Sequence, residues 1–337
     1  MRLVSALAVG LAACHDPLSV GAPDDAGLDA PVDAADAAPP PSCATGTGPE
    51  LVTTLDPALG TVVAVAADEG EIYVATVAPG TAALSLFSAA KGAGTHLVAN
   101  VGVSPGYLAL DRSDVYVATS GSNEVIRVPR DGTPATSIIG ELSPGPIVTD
   151  GWGGAFWVVV DTSASGWAVH GSARGASSSQ PVAIGIAHPT VLASDGTRLF
   201  AEGQNEVTAV SSPLMNPKVS PLASRCDGAL LAFASEGQAV LCSEGATLVR
   251  VALDGTGATV LTNLPGNVRE LVVGGGRAFV RLEPRAGTHD TALIMAVPLD
   301  GVGGPTLVPV TRTATNLATD RCFLYFLDGQ NLDRFGL

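Results

Sequence analysis

A segment that recurs about every 42 residues constrains the fold of this chain more than any other feature. Each copy has a β-rich run, a polar turn and a second β-rich run centred on a large apolar residue. The central residues are Tyr73, Tyr116, Phe156, Phe200, Val240, Phe279 and Tyr325, which gives spacings of 43, 40, 44, 40, 39 and 46. Seven copies of this length match the four-stranded blade of a β-propeller.

The remainder of each copy supplies the signals for two more strands. A run such as Glu124–Pro129 predicts a third strand, and an Asp-Gly pair follows it in three copies. Asp-Gly between β-rich runs indicates a hairpin, because glycine accepts the positive φ that the turn needs. The chain also has 40 Gly and 24 Pro with only 4% aromatic residues, which argues against long helices.

The two ends of the repeat region complement each other. The seventh copy stops at Leu337, at the end of its third strand, and Pro49–Leu55 resembles a lone fourth strand. Pairing that segment into the last blade closes the ring and leaves no open blade edge at the seam. The sequence therefore predicts an all-β, seven-bladed β-propeller over residues 44–337. Its blades are four-stranded and antiparallel, and the N-terminal strand closes the last blade.

The first residues resemble an export signal. Arg2 precedes the apolar run Leu3–Ala13, which is too short to span a bilayer and typical of a signal-peptide core. The segment ending in Ala13-Cys14 resembles the bacterial lipobox, which implies that residues 1–13 are removed and that Cys14 carries lipid. An ordinary signal peptide is the alternative. Residues 14–43 are rich in Asp, Ala and Pro and predict a disordered tether. We expect a lipid-anchored envelope protein with its propeller outside the cytoplasm, and favour the outer membrane.

The five cysteines fit this interpretation. If Cys14 is acylated, four remain, and these allow three connectivities. We define the bottom face as the one that carries the turns between the first and second strands of each blade. The top face carries the loops between blades. Cys43 and Cys322 are expected at the bottom, and Cys226 and Cys242 at the top. The sequence therefore predicts the disulfides Cys43–Cys322 and Cys226–Cys242.

The repeat resembles the broad group of bacterial propellers of the NHL, YVTN and YWTD-like type. The resemblance covers Pro49–Leu337 and rests on motifs such as DRSDVYVAT and VIRVPRDG. It implies the propeller fold. It does not define an activity, because such propellers include binding proteins, lyases and lactonases.

Candidate ligand-binding residues are few. Arg225, Arg269 and Arg312 fall at three consecutive blade junctions on the top face, where they could form a basic arc for a carboxylate or phosphate. Asp227 and Glu270 lie near them in sequence and could neutralise them. A net charge of −15 argues against a nucleic-acid partner.

A carboxylate recurs at the turn between the first two strands of most blades. One hypothesis is a ring of acids that binds cations, and the favoured one is turn capping, in which each carboxylate accepts backbone N–H groups. These residues are Asp68, Asp111, Asp150, Asp195 and Asp320.

No catalytic constellation is apparent in the sequence, and we expect no catalytic residue, metal or cofactor. The leading hypothesis is a monomeric propeller that is anchored to the bilayer and binds an envelope protein or a glycan. The alternative is a metal-dependent propeller enzyme that acts at the channel mouth, resembling streptogramin lyases or gluconolactonases. Such enzymes need His, Glu, Asp or Asn to converge there, and the inner strands supply almost none.

Overall fold

The computed structural model describes most of the chain from Gly48 onward. The described residues are 48–68, 71–90, 92–103, 106–138, 143–151, 153–161, 166–183, 189–203, 206–211, 213–214, 217–223, 226, 231–234, 239–283, 293–310 and 314–337. The predicted signal peptide, Cys14, the predicted tether and Cys43 lie outside these ranges. Among the described residues, no helix has the length and apolar character needed to cross a bilayer.

Within the described ranges, 28 strands form seven four-stranded antiparallel sheets. Each sheet is one blade, and its strands follow one another in chain order, except in blade 7. The chain is therefore the seven-bladed all-β propeller that the repeat predicts. Neighbouring strands are antiparallel, so the turns after the first and third strands lie on the bottom face.

The strands of blades 1 to 3 are β2 (Thr61–Asp68), β3 (Glu71–Val77), β4 (Ala83–Ala90), β5 (Gly94–Val103), β6 (Gly106–Leu110), β7 (Asp114–Thr119), β8 (Glu124–Pro129), β9 (Thr136–Ile138), β10 (Ile147–Thr149), β11 (Ala155–Asp161), β12 (Gly166–Ser172) and β13 (Gln180–Ala183). Those of blades 4 to 6 are β14 (Pro189–Ser194), β15 (Arg198–Gly203), β16 (Glu206–Ser211), β17 (Lys218–Ala223), β18 (Leu231–Ala234), β19 (Ala239–Glu244), β20 (Thr247–Ala252), β21 (Ala258–Asn263), β22 (Val268–Gly274), β23 (Arg277–Leu282), β24 (Leu293–Pro298) and β25 (Thr306–Leu307). Blade 7 comprises β26 (Thr315–Thr319), β27 (Phe323–Asp328), β28 (Asn331–Gly336) and β1 (Glu50–Thr54).

Blade 7 is completed by the N-terminal strand, as predicted. β1 pairs antiparallel with β28, with Glu50 opposite Arg334 and Thr54 opposite Asn331. The innermost strands contact one another in a closed circle, in which β26 of blade 7 meets β2 of blade 1. The ring therefore closes through strands from both ends of the described chain.

An apolar cluster fills each of the seven junctions between neighbouring blades. The central residues of the repeat are all buried on the second strands of their blades. In six blades this residue faces the next blade. The equivalence is wrong by one residue in blade 5, where Val240 packs towards blade 4 and Leu241 packs towards blade 6. The side-chain alternation of a strand makes a one-residue error reverse the face.

The predicted Asp-Gly hairpins are confirmed at the turns between third and fourth strands. Gly132, Gly255 and Gly301 have φ values of 82°, 75° and 71°. The aspartate before each glycine accepts the N–H two residues further on, from Thr133, Thr256 and Val302, at 2.8–2.9 Å. These side chains fix the turns that start the outer strands.

Candidate functional site

The turn acids of blades 3, 4 and 7 cap their own turns on the bottom face, as favoured from the sequence. Asp150 accepts the N–H of Gly154 at 2.8 Å. Asp195 accepts from the N–H groups of Thr197 and Arg198 at 2.9 and 2.6 Å. Asp320 accepts the N–H groups of Cys322 and Phe323, both at 2.7 Å, and its second oxygen accepts the Tyr325 hydroxyl at 2.7 Å.

The turn acid of blade 1 joins two blades. Asp68 accepts Nη1 of Arg130, a residue of blade 2, at 2.8 Å, and Glu71 accepts Nη2 of the same guanidinium at 2.8 Å. The guanidinium also donates to the backbone carbonyl of Asp111 at 2.9 Å and lies over the Tyr73 ring. Arg130 is therefore a bridge between blades 1 and 2, with its positive charge compensated by two carboxylates.

The turn acid of blade 2 has a different environment. The Asp111 side chain is buried, and within the described part of the chain its Oδ2 atom has no hydrogen-bond partner. The nearby Tyr116 hydroxyl donates instead to the backbone carbonyl of Gly153 in blade 3, at 2.8 Å. Burial raises the pKa of Asp111, and the neighbouring carboxylates of Asp150 and Asp114 raise it further.

On the top face, a buried ion pair of blade 6 accepts a backbone N–H from blade 7. Glu270 accepts Nε and Nη2 of Arg281 at 2.8 and 2.7 Å, and its other oxygen accepts the N–H of Leu317 at 2.8 Å. The side chains of Glu270 and Arg281 are at most 9% exposed, so the pair is shielded from solvent. This pair is a structural link, since both oxygens of Glu270 are occupied.

Arg269 is the one residue of the predicted basic arc that lies within the described ranges. It occupies a β-bulge at the top of β22, where Val268 and Glu270 pair with successive residues of β23. Its guanidinium bonds to Glu283, which lowers the pKa of that carboxyl. The neighbour expected to neutralise it, Glu270, is committed to Arg281 instead. A bulge shifts the alternation of a strand by one residue, which separates the two side chains.

Arg225 and Arg312, the other members of the predicted arc, lie outside the described residues, as does Asp227. The anion site that the three arginines would form stays a prediction. In the described portion of the top face, Arg269 already has a carboxylate partner, so an anion there would compete with Glu283.

The predicted disulfide Cys226–Cys242 is confirmed. Its Cα atoms are 5.8 Å apart, and both residues are fully buried. It connects the position before blade 5 to the second strand of that blade, and the N–H of Cys226 donates to Glu244 at 3.1 Å. Cys322 is also disulfide-bonded. Its predicted partner, Cys43, lies outside the described residues, so that pairing stays a prediction.

A pocket of about 440 Å³ lies against the outer hairpin of blade 5, lined by residues such as Arg250, Asp254 and Thr259. Among the described residues, no group of three or more His, Cys, Asp or Glu side chains is arranged to hold a metal ion.

Two polar contacts at these blade junctions were not predicted from the sequence. The Glu270–Arg281 pair had a signal, since an arginine interrupts the apolar run of β23. The hydrogen bond from the Tyr116 hydroxyl to blade 3 had no signal in the sequence of blade 2, because it depends on the turn of the neighbouring blade.

No protein-family model matches this chain, and no curated protein matches it. Many solved structures do. The structure of YCF48 bound to D1 peptide aligns with a TM-score of 0.60 at 10% identity, covering 89% of this chain and 99% of that one. Apo AztD from Citrobacter koseri gives 0.56 at 13% identity, covering 79% and 80%. A chain of the mitotic checkpoint complex gives 0.56 at 12%, covering 93% and 99%. At these identities the similarity shows the fold alone.

Proposed function

We propose that this chain is an exported binding propeller, held at the cell envelope by lipid on Cys14, whose partner is an envelope protein or a glycan. The observation that carries the binding role is how its ionisable side chains are used. The turn acids of blades 3, 4 and 7 cap turns, while Arg130 and the Glu270–Arg281 pair connect blades. Because these side chains stabilise the fold, the role that we propose for the molecule is recognition through its surface.

The disulfides support the extracytoplasmic part of the proposal. Disulfides persist in oxidising compartments and are rare in the reducing cytosol. Cys226–Cys242 is one such bond, and Cys322 takes part in another. The signal-like segment Leu3–Ala13 and the lipobox-like Cys14 agree with that location. The outer membrane is the membrane we favour.

The path of the chain supports the top face as the recognition surface. β1 starts at Glu50 on the bottom face, so the described part of the chain enters the propeller on that side. A tether on the bottom leaves the top face directed away from the anchor. A chain of the same fold takes a peptide in the YCF48 structure. For this protein we take from that structure only the general role of binding another molecule.

The anchor is tested by replacing Cys14 with Ala and following detergent partitioning and intact mass in a bacterial host. The wild-type chain should partition into detergent with the mass of a diacylated cysteine. The variant should stay in the aqueous phase. A wild-type chain that carries no lipid would remove the anchor from the proposal.

The recognition surface is tested with photo-crosslinking residues placed at Glu206 on the top face and at Asp131 on the bottom face, both exposed. We expect a saturable adduct with one envelope component from position 206, competed by unlabelled propeller, and none from position 131. Equal crosslinking from both faces would contradict the choice of face.

Metal analysis of the purified protein tests the alternative, because a stoichiometric divalent ion would favour a lyase or lactonase.

A further inference from the structure

The junction of blades 2 and 3 contains a buried carboxyl that the proposed function does not use. Asp111 is 4% exposed. Backbone N–H groups of Arg112 and Ser113 bond to its carboxyl, and Oδ2 has no partner in the described structure. A buried carboxylate oxygen without a donor is costly when charged and much less so when protonated.

The equivalent position in blade 7 shows what the missing donor is. Asp320 and Tyr325 are five residues apart, as are Asp111 and Tyr116. In blade 7 the tyrosine hydroxyl donates to the aspartate at 2.7 Å. In blade 2 the hydroxyl of Tyr116 donates to the Gly153 carbonyl of blade 3. The same local motif therefore exists in two hydrogen-bonded arrangements.

We propose that Asp111, Tyr116 and Gly153 form a pH-sensitive switch that controls a hydrogen bond between blades 2 and 3. When Asp111 is protonated, the Tyr116 hydroxyl stays on the Gly153 carbonyl and joins the two blades. When Asp111 releases its proton to solvent, the charged Oδ2 takes the hydroxyl, as Asp320 does in blade 7, and the bond to blade 3 is lost. Tyr116 keeps its own proton in both states.

The charged groups around Asp111 favour the protonated state at mildly acid pH. Asp150 faces it from blade 3, and Asp114 faces it from its own blade. Arg127 of β8 is 3.8 Å from Asp114, which compensates that carboxylate.

The ion pairs at the junction of blades 1 and 2 contact Asp111 at its backbone carbonyl. Arg130 donates to its backbone carbonyl, and Arg130 is itself compensated by Asp68 and Glu71. Arg112 follows Asp111 in the turn. Burial and the two aspartates raise the pKa of Asp111, so the change of state falls above the range of an ordinary aspartate.

The test is a carboxyl ¹³C NMR titration of the full mature chain, with the Asp111 signal assigned from Asp111→Asn. In the wild type, we expect a midpoint above about 4, the ordinary aspartate value. Tyr116→Phe removes the donor that stabilises the ionised state but not the burial, so it should move the midpoint up by about one pH unit, a tenfold change in the proton equilibrium. A midpoint that Tyr116→Phe leaves unchanged would overturn the switch.

Two controls separate the switch from general loosening of the protein. Tyr325→Phe removes the matching hydroxyl in blade 7 and should leave the Asp111 midpoint unchanged. Near-ultraviolet circular dichroism at pH 4 should show that each variant is folded. The buried Trp157 packs with Tyr116, so its fluorescence should change in the wild type at the Asp111 midpoint and stay constant in Asp111→Asn. Fluorescence that changes equally in Asp111→Asn would also contradict the proposal.

Discussion

Blades 2 and 7 contain the same local motif and use it differently. Each has Asp-Arg at the turn and a tyrosine five residues after the aspartate, and an arginine lies opposite that tyrosine on the third strand. In blade 7 the tyrosine hydroxyl donates to the aspartate of its own turn, whereas in blade 2 it donates to a backbone carbonyl of blade 3. The shared Asp-Arg pair and tyrosine therefore reach different hydrogen-bonded states because the neighbouring blades differ.

The cause lies in the turn of blade 3. Five residues separate β10 from β11, against three between the first two strands of blades 2, 4 and 7. The longer turn brings the carbonyl of Gly153 to Tyr116. Gly153 has φ 103°, and a Cβ atom there would lie 2.5 Å from Arg174. Glycine is therefore required at the point where the two blades are connected.

The strongest test of this comparison is removal of the two turn carboxylates. Asp320→Ala leaves two N–H groups and the buried Tyr325 hydroxyl without their acceptor, and should reduce the free energy of unfolding by about 4 kcal/mol. Asp111→Ala, measured below the Asp111 midpoint, should reduce it by about 2 kcal/mol, because the N–H groups of Arg112 and Ser113 lose their acceptor but the second oxygen has no donor to lose. Urea unfolding of both variants measures the difference. Equal losses would contradict the distinct roles of the two turns.

The closure of blade 7 by β1 gives the next largest effect. Leu55 directly follows β1 and is 1% exposed, so Leu55→Ala should cost about 3 kcal/mol by creating a cavity. Leu51 lies in the same strand but is 51% exposed, and Leu51→Ala is the matched control with a change near zero. Thermal unfolding of the two variants tests the closure. A strong effect at Leu51 would indicate that β1 does not have the register described.

The tyrosine hydroxyls should differ less than the carboxylates. Tyr325→Phe leaves a buried carboxylate oxygen without its donor and should cost about 2 kcal/mol, since bonds to charged groups are the stronger ones. Tyr116→Phe, measured below the Asp111 midpoint, where the hydroxyl bonds the uncharged Gly153 carbonyl, should cost about 1 kcal/mol or less. Denaturant unfolding of the two variants decides the order. The opposite order would mean that the link to blade 3 is the stronger bond.

The smallest effect is a pH dependence at Asp195, whose shift is opposite to that of Asp111. Burial opposes its ionisation, but the N–H groups of Arg198 and Thr197 and the Arg198 side chain outweigh burial and lower its pKa. A lowered folded-state pKa contributes stability that is present above about pH 4 and is lost as the pH falls through the folded value. The stability difference between wild type and Asp195→Asn should therefore shrink on acidification from pH 6 to pH 3 in urea unfolding experiments. A constant difference would show that Asp195 adds no pH-dependent stability.

The repeat made most of the fold predictable. The spacing of the central residues, the Asp-Gly turns and the split last blade each reflect local rules of strands and hairpins. The one misplaced residue, Val240, marks a blade where the central residue is aliphatic, so size alone did not distinguish it from Leu241. Turn capping was predictable at Asp195 and Asp320, because the N–H groups that each carboxylate accepts are two or three residues away in the sequence.

The polar contacts between residues far apart in the sequence were not predictable in the same way. The bulge at Arg269 changed which acid neutralises it, and Glu283 lies 14 residues away in the sequence. Glu270 bonds to Leu317, 47 residues further on. The Glu270–Leu317 bond forms only when the ring brings two blades together, and the Arg269–Glu283 pair depends on the bulge in the pairing of β22 with β23 within blade 6.

The sequence by itself determined the strands, the turns and the number of blades, because strand alternation and turn chemistry act over a few residues. Only the tertiary structure decided which polar groups join one blade to the next. Tyr116 is the clearest case, since its hydroxyl donates to the Gly153 carbonyl of blade 3, whereas the matching hydroxyl of Tyr325 donates to the aspartate of its own blade. The choice between these two acceptors depends on the charge of one buried carboxyl and on the length of a turn in another blade.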